Sequence, residues 1–584
     1  GGIADPRTSA PLLEMLEDCD PNVRASAADA LGTIGGSGVS SALIRKAADA
    51  AEDQLVRFSA IHSLSALEVP VRASDLASVL GDPILGHAAL ALLGRHDDDE
   101  EGVAALLKAL GSGSRSSRES AIRSLLRVVS RNGPGSGSDA DSGDALLARI
   151  RAAALANELV IASAVERLPD ADLSTKLVLI QFLGIVATPA SVLPILAAGR
   201  DEALRDTALA TLVSLGPVAE RIIEAEWSRL DTESRRDACV VFAECRGEGS
   251  AARLLAALED HSIEVRSAAA RAIGRRELEL GLAPLVVRLS AAAADDDFEA
   301  EEELAAVLDG LIALAAPRSG KSPALTQRAI DLLIGCLEGS AESVRIAIAT
   351  VIGRIGRAED SQIVCFLLKD ASSSVRRASV DALARLEPGT TAEPLRLALA
   401  DESPLVRIAA ARALGASASG EVVEDLKRLA DDEDSAVRAA AVRSVALRLP
   451  RSVGDARRSE LLQVIDGALA DEPPVALAAL EALCEIGGIA AERAAGILAR
   501  PEPELVRAAI RCIGLYAEQS GVAALIPLVE HPDWSVRAEA IQTIADRNLI
   551  RGVPAILRRL DVEQHDFVRD VTLSALRRLE GEVR

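Results

Sequence analysis

Apolar and polar positions along the chain repeat with a period near 31 residues. The clearest copies contain a valine–arginine pair followed by an alanine-rich apolar run, and consecutive arginines are 31 residues apart at Arg345, Arg376, Arg407 and Arg438. Further copies of the pair end at Arg24, Arg57, Arg266, Arg507, Arg537 and Arg569. A fixed period of this length predicts stacked supersecondary units, because each unit needs a neighbour to cover its apolar face.

One copy, residues 391–419, predicts two helices joined by a short turn. Residues 391–399 have the leucine spacing of a short amphipathic first helix. Ser403 can cap the next helix, and Pro404 suits its first position. The apolar face of this second helix contains Val406, Ala409, Ala410, Ala413 and Leu414. Gly415 follows, and it either ends the second helix or lets the next helix approach closely.

The period divides the chain into three blocks of repeats with two interruptions. We expect repeats in residues 1–131, 144–290 and 326–584, about 17 or 18 helical hairpins in all. Residues 132–143 are rich in Gly and Ser and predict a flexible loop. Residues 291–325 predict a longer, irregular and acidic unit. The chain begins as if inside a repeat, so the first block is expected to be truncated. The predicted fold class is all-α, an α-solenoid or superhelix.

The composition is typical of a helical protein and limits the classes of partner that the chain can bind. Apolar residues make up 49% of the chain and aromatic residues only 2%, so the interior must consist mainly of Ala, Leu, Val and Ile. The formal net charge is −24, which opposes binding to nucleic acid because such binding depends on Lys and Arg contacts to phosphate. The seven cysteines are scattered and are typical of small buried side chains in a reducing compartment. No apolar run is long enough to span a bilayer, and we expect a cytoplasmic protein without membrane insertion.

The acidic turn, the Val-Arg pair and the A-x-x-A-L-G tail together resemble the HEAT-repeat family, in particular the short bacterial repeats grouped with phycobilisome lyases. The resemblance extends over nearly the whole chain. It implies an α-solenoid whose second helices line a concave face. The family consists mostly of scaffolds, adaptors and docking surfaces, so the resemblance indicates a soluble, bacterial-type protein that binds other proteins.

An acidic residue stands six positions before the arginine in several copies. The resemblance implies that these pairs form a structural ladder of hydrogen bonds between adjacent turns. One guanidinium can satisfy a carboxylate and a carbonyl together, because it carries five donors in a rigid fork. The pairs are Asp18 and Arg24, Asp260 and Arg266, Asp370 and Arg376, Asp401 and Arg407, Asp432 and Arg438, and Glu563 and Arg569.

Motifs of catalysis and metal binding are missing from the sequence. None of the six histidines lies in a His-Glu motif, whereas the diiron hydroxylases built on HEAT-like repeats carry such motifs. We find no phosphate-binding loop, no nucleophile elbow and no cysteine with an assignable histidine. We therefore predict no catalytic residue, no metal site and no cofactor. An accessory or lyase-like domain that docks a cofactor-bearing substrate protein is the alternative suggested by the family.

The second helices carry arginines at two positions that should face away from the core, five and nine residues after the ladder arginine. These are Arg271, Arg275, Arg354, Arg385, Arg412 and Arg443. One interpretation is a positive groove that binds an acidic peptide, a phosphorylated segment or an acidic domain. The other is an ordinary solvated helix face. The predicted function is a non-catalytic scaffold that binds a protein partner along these helices, and the sequence does not determine the oligomeric state.

Overall fold

The structure is a computed structural model of the chain. It describes residues 9–94, 100–131, 140–294, 298–316, 323–386, 392–416, 422–448, 455–486 and 490–581. Within these ranges the regular structure is helical throughout, and no strand occurs. None of the helices there combines the length and the apolar character that crossing a bilayer requires. The chain divides into two compact units, an N-terminal unit, Gly1–Leu278, and a C-terminal unit, Glu279–Arg584. The division falls inside the predicted repeat block 144–290.

The N-terminal unit contains sixteen described α-helices. They are α1 (Ser9–Met15), α2 (Pro21–Ile34), α3 (Val39–Ala48), α4 (Gln54–Ala66), α5 (Gly86–Leu93), α6 (Glu100–Ala109), α7 (Arg115–Arg131), α8 (Ala140–Leu155), α9 (Glu158–Arg167), α10 (Leu173–Val186), α11 (Pro189–Ala198), α12 (Glu202–Leu215), α13 (Pro217–Glu226), α14 (Thr232–Glu244), α15 (Glu248–Ala257) and α16 (Ile263–Arg276). A short 3-10 turn, Ala73–Leu76, precedes α5 in the place of a first helix.

The C-terminal unit contains eighteen described α-helices. They are α17 (Leu282–Ala293), α18 (Phe298–Ala315), α19 (Pro323–Gly335), α20 (Glu342–Ile355), α21 (Ser361–Leu367), α22 (Ser373–Leu386), α23 (Ala392–Leu397), α24 (Pro404–Ala416), α25 (Val422–Leu429), α26 (Ser435–Arg448), α27 (Asp455–Leu469), α28 (Pro473–Ile486), α29 (Ala490–Ala495), α30 (Pro503–Tyr516), α31 (Gln519–Val522), α32 (Trp534–Asp546), α33 (Val553–Val562) and α34 (Asp566–Gly581).

Helices pair as hairpins, and the second helices of successive hairpins pack on one another within each unit. In the N-terminal unit this row is α2, α4, α5, α7, α10, α12, α14 and α16. In the C-terminal unit it is α18, α20, α22, α24, α26, α28, α30, α32 and α34. The first helices cover the other side, as α25 covers α26. The described residues therefore contain seventeen copies of the repeat, and the predicted all-α solenoid is confirmed.

The hairpin chosen in the sequence shows why the repeat folds in this way. Its second helix, α24, begins at Pro404, as predicted, and Val406, Ala410 and Leu414 are fully buried at intervals of four residues. Gly415 lies inside the helix and does not end it. A Cβ atom at Gly415 would stand 2.6 Å from Cβ of Ser444 in α26, and such a separation is too short for two real side chains. Glycine at this position thus lets two second helices approach closely.

Two predicted interruptions fall partly outside the described residues. Of the predicted loop 132–143, residues 132–139 are not described, and α8 begins at Ala140. Of the irregular unit 291–325, residues 295–297 and 317–322 are not described. Between them lies α18, one of the longest helices in the described chain at 18 residues.

Candidate functional site

Arg376 shows how a ladder arginine joins two neighbouring turns of the solenoid. Nη1 of Arg376 donates to the carbonyl oxygens of Asp370 at 3.0 Å and of Ala371 at 3.1 Å. Its Nε and Nη2 donate to the two carboxylate oxygens of Asp401, in the next turn, at 2.8 Å and 2.9 Å. This two-point contact is the strong geometry for an arginine–carboxylate pair.

The same bridge recurs along both units. The pairs are Arg24–Glu52 and Arg235–Asp260 in the N-terminal unit, and Arg345–Asp370, Arg376–Asp401, Arg407–Asp432, Arg438–Asp471 and Arg537–Glu563 in the C-terminal unit. We call these pairs the arginine ladder. Four acidic residues have two roles. The backbone carbonyl of each accepts a hydrogen bond from the arginine six positions later, and the carboxylate binds the arginine of the preceding turn. These residues are Asp260, Asp370, Asp401 and Asp432.

In several copies the arginine does not bind the carboxylate of the acidic residue six positions before it. The guanidinium of Arg24 binds the carboxylate of Glu52 at 2.6 Å and donates to the backbone carbonyl oxygen of Asp18 at 2.7 Å. Nη1 of Arg266 likewise donates to the carbonyl of Asp260 at 2.9 Å. At the last copy the Arg569 side chain is exposed.

The sequence signal that identifies these partners is an acid in the next copy of the repeat, 25 to 33 residues after the arginine. The interval is 25 residues in four bridges of the ladder. Glu52, Asp471, Arg235, Arg345 and Arg537 are the members absent from the predicted set.

Ladder arginines hold their carboxylates in the ionised form. Hydrogen bonds from Arg345 lower the pKa of Asp370, and burial opposes only part of this effect. At Glu563, burial would raise the pKa, but hydrogen bonds from Arg537 and Arg559 outweigh it and bring the pKa to about 2. The charged groups of the ladder therefore satisfy one another inside the solenoid.

A second set of arginines lies on the solvent side of the C-terminal unit. Arg354, Arg385, Arg412 and Arg443 come from α20, α22, α24 and α26, four successive second helices, and all four side chains are exposed. Arg443 lies 3.9 Å from Glu481 of α28. Among the described residues, no carboxylate lies within ion-pair distance of the other three. We call these four residues the arginine row.

The remaining two predicted binding residues form a group of their own in the N-terminal unit. Arg271 and Arg275 lie on α16, and both are exposed. Arg275 lies 3.9 Å from Glu244 of α14, whereas Arg271 has no ion-pair partner in the part of the chain that is described.

Exposed acidic side chains lie within the arginine row and at its C-terminal end. Asp381 is exposed on α22, one helical turn before Arg385. On α28, Glu481 and Glu485 are exposed at the positions equivalent to those of the row arginines. Positive charge therefore predominates from α20 to α26 and ends at α28.

Two grooves lie farther along the second helices of the C-terminal unit, where the sequence offered no hypothesis. The groove between α30 and α32 has a volume of about 430 Å³, and the groove between α32 and α34 about 320 Å³. Trp534 and Phe567 line the second groove and are 44% and 55% exposed. The indole stacks on His565 with ring centres 4.4 Å apart. Trp534 stands two residues before the valine of a Val-Arg pair and Phe567 directly before one, and this position is the signal that could have revealed them.

The described residues show no arrangement of metal-binding type. Within them, no group of three or more His, Cys, Asp or Glu side chains is placed to hold a metal ion. The seven cysteines are free thiols.

Comparison with known proteins agrees with the architecture described above. The family model of HEAT repeats matches residues 9–85, 363–446, 392–484 and 490–577. The chain belongs to the HEAT-repeat family. Its placement among the short bacterial repeats stays a prediction. No curated protein sequence is significantly similar to the chain.

The chain also matches solved structures of a karyopherin and of importin beta. The karyopherin Kap121p bound to the SUMO protease Ulp1p is 16% identical, with a TM-score of 0.43 over 98% of this chain and 72% of that one. Importin beta in an ammonium sulfate condition is 14% identical, with a TM-score of 0.34 over 98% of this chain and 85% of that one.

Proposed function

We propose that this protein is a non-catalytic scaffold that binds an acidic or phosphorylated protein segment along the arginine row. The observation that carries the proposal is the exposure of four arginines on four successive second helices. The ladder arginines bind carboxylates inside the solenoid, whereas three of the four row arginines have no such partner among the described residues. Their donors are available to a ligand.

The spacing of the arginine row suits an extended ligand. Packed helices lie about 8–10 Å apart, so four successive second helices span roughly 25–30 Å. An extended peptide advances about 3.3 Å per residue. An acidic group at every third residue would therefore meet a new arginine, and a segment of about ten residues would cover the row.

The chemistry of the guanidinium selects the ligand. Arginine binds carboxylates and phosphates through two parallel hydrogen bonds, and such contacts are stronger than neutral ones. A local positive surface on a chain of net charge −24 also distinguishes this face from the rest of the molecule. A cytoplasmic location is part of the same proposal and is supported by the free thiols.

The test is charge reversal in the row, with a matched reversal elsewhere in the same unit. The triple variant Arg354→Glu, Arg385→Glu and Arg412→Glu is compared with Arg328→Glu, Lys369→Glu and Arg428→Glu. The control residues are exposed on or beside first helices and give the same change in net charge. Fluorescence anisotropy measures binding of a ten-residue peptide with phosphoserine or glutamate at every third position.

We expect the row variant to bind the peptide at least ~10-fold more weakly, because exposed ion pairs contribute up to about 1 kcal/mol each. The control variant should bind as the unmodified protein does. Equal losses in both variants would show that net charge alone governs binding, and unchanged binding by the row variant would exclude the row as the site.

A further inference from the structure

Successive second helices meet most closely at one repeated position. A glycine of one helix faces a small residue of the next, as Gly353 faces Ala382 and Gly415 faces Ser444. A Cβ built on either glycine would lie 2.6–2.7 Å from the facing Cβ atom. The backbones at this position are therefore closer than two ordinary side chains allow.

Between α28 and α30 a pair of cysteines takes this position. Ala476 stands three residues after the start of α28, as Arg407 does in α24. Cys484 lies eight residues after Ala476, just as Gly415 lies eight residues after Arg407. Cys512 faces it from α30, and a hydrogen bond between the two thiols is the largest influence on the pKa of each. The hydroxyl of Tyr516, one turn farther along α30, donates to the carbonyl oxygen of Cys484 and holds the two helices together.

The geometry of this position suits a disulfide bond. A disulfide requires Cβ atoms about 3.5–4.5 Å apart. Two real Cβ atoms cannot occupy the separation found at the glycine positions, so helices that carry cysteine at both must stand farther apart there. A separation about 1–2 Å wider than at the glycines is the one that a disulfide needs.

The two thiols differ in access and in acidity. Cys484 is partly exposed, whereas Cys512 is fully buried. The hydrogen bond from Cys512 lowers the pKa of Cys484, and Arg511 lowers it as well, against burial and the charges of Glu481 and Glu485. The thiolate is the reactive form of cysteine, so Cys484 is the thiol that reacts first.

We propose that Cys484 and Cys512 are an oxidisable thiol pair that forms a disulfide between two consecutive repeats when a peroxide is present. The Cys484 thiolate attacks one oxygen of hydrogen peroxide, the O–O bond breaks, and the released hydroxide takes up a proton to become water. Cys484 is then a sulfenic acid. The sulfur of Cys512 attacks the sulfur of Cys484, the S–O bond breaks, and the hydroxyl leaves with the proton of Cys512 as a second water. Two thiols lose two electrons and two protons, and the peroxide is reduced to two waters.

The bond would fasten α28 to α30. It closes a loop of 28 residues, the difference between positions 512 and 484. A cross-link of this kind restricts the open states of the chain it encloses. Since each repeat of a solenoid is stabilised by its neighbours, the restriction should act on the adjoining repeats first.

The test uses the whole chain treated with hydrogen peroxide under native conditions, alkylated, digested and analysed by mass spectrometry. We expect one cross-linked peptide pair, Cys484 with Cys512, that dithiothreitol removes. Cys484→Ala and Cys512→Ala should each abolish it. Alanine already stands at the position of Cys512 in Ala382, and at the position of Cys484 in Ala446, which lies eight residues after Arg438. Both variants should therefore fold, which circular dichroism checks. The buried thiols of Cys239 and Cys245 serve as comparators within the chain and should stay alkylatable after unfolding.

Hydrogen exchange gives the second measurement. Oxidation should slow the exchange of backbone amides in α28 and α30 on the order of tenfold, and reduction should reverse this change. If Cys484 is oxidised to a sulfinic acid or forms a mixed disulfide while Cys512 remains a free thiol, the proposal is wrong. The same conclusion follows if both thiols remain alkylatable at peroxide concentrations that oxidise exposed Cys19.

Discussion

The arginine ladder shows how single residues hold the turns together. In its most buried bridge, the side chains of Arg537 and Glu563 are 7% and 1% exposed. A buried ion pair adds little by itself, but the loss of one partner leaves an uncompensated charge. The energetic importance of this arginine therefore lies in the carboxylate that it neutralises.

Arg537→Ala should lower the free energy of unfolding of the C-terminal repeats by about 3–5 kcal/mol. Arg559 also binds Glu563, so the loss should fall near the lower end. Hydrogen exchange of α32 and α34 measures the effect. Arg354→Ala is the control, because an exposed arginine without a partner should change stability by less than about 0.5 kcal/mol. Equal effects from the two variants would contradict the structural role of the ladder.

The pKa of Glu563 predicts how acid acts on this bridge. Its folded-state pKa is about 2, below the ordinary value of 4.5. A lowered folded-state pKa means that the bridge stabilises the protein fully above pH 4.5 and loses its contribution as pH falls towards 2. Glu563→Gln lacks this ionisation, so its stability should change less than that of the unmodified protein between pH 4.5 and pH 2. Acid unfolding of the two proteins, followed by circular dichroism, makes the comparison, and parallel curves would contradict the prediction.

At the scale of elements, the glycines fix the spacing between second helices. Gly415→Ala should destabilise the protein by about 1–3 kcal/mol, because the added Cβ would clash with Ser444 and force two packed helices apart. Gly467→Ala is a matched control inside α27, where an added Cβ meets no atom within 4 Å. That change should be neutral or stabilising by up to about 1 kcal/mol, since alanine favours helix. Thermal unfolding distinguishes the two, and a loss of similar size in both would refute the close-approach role.

The helical spacing of apolar residues predicted α23 and α24 correctly, whereas Gly/Ser composition alone misplaced the start of α8. Residues 391–399 and the segment from Pro404 correspond to α23 and α24, because their apolar spacing and turn residues agree. The Gly/Ser-rich segment 132–143 predicted a loop, yet α8 begins inside it. Ile150 and Ala154 of α8 are fully buried at helical spacing, so packing extends this helix towards residues that prefer turns.

At the scale of the whole molecule, the repeat explains which features the sequence predicts and which features it does not predict. The outward positions of the arginine row follow from the period, and all four side chains are exposed. The carboxylate partners of the ladder do not follow from spacing within one copy, because each bridge joins two copies. Glu52 and Asp471 depart from the 25-residue interval and needed the folded chain to identify them.

The charge pattern of the whole C-terminal unit yields a gain-of-affinity prediction. Asp381 is the exposed carboxylate one turn from Arg385, so it repels an acidic ligand on the arginine row. Asp381→Asn should tighten binding of the phosphoserine peptide about threefold, within the range of exposed charge interactions. Asp331→Asn makes the same change in net charge on the first helix α19 and should leave affinity unchanged. The gain should disappear in 1 M salt, where charges are screened within about 3 Å. A gain that persists in salt, or that Asp331→Asn reproduces, would mean that the ligand is not held by the charges of the row.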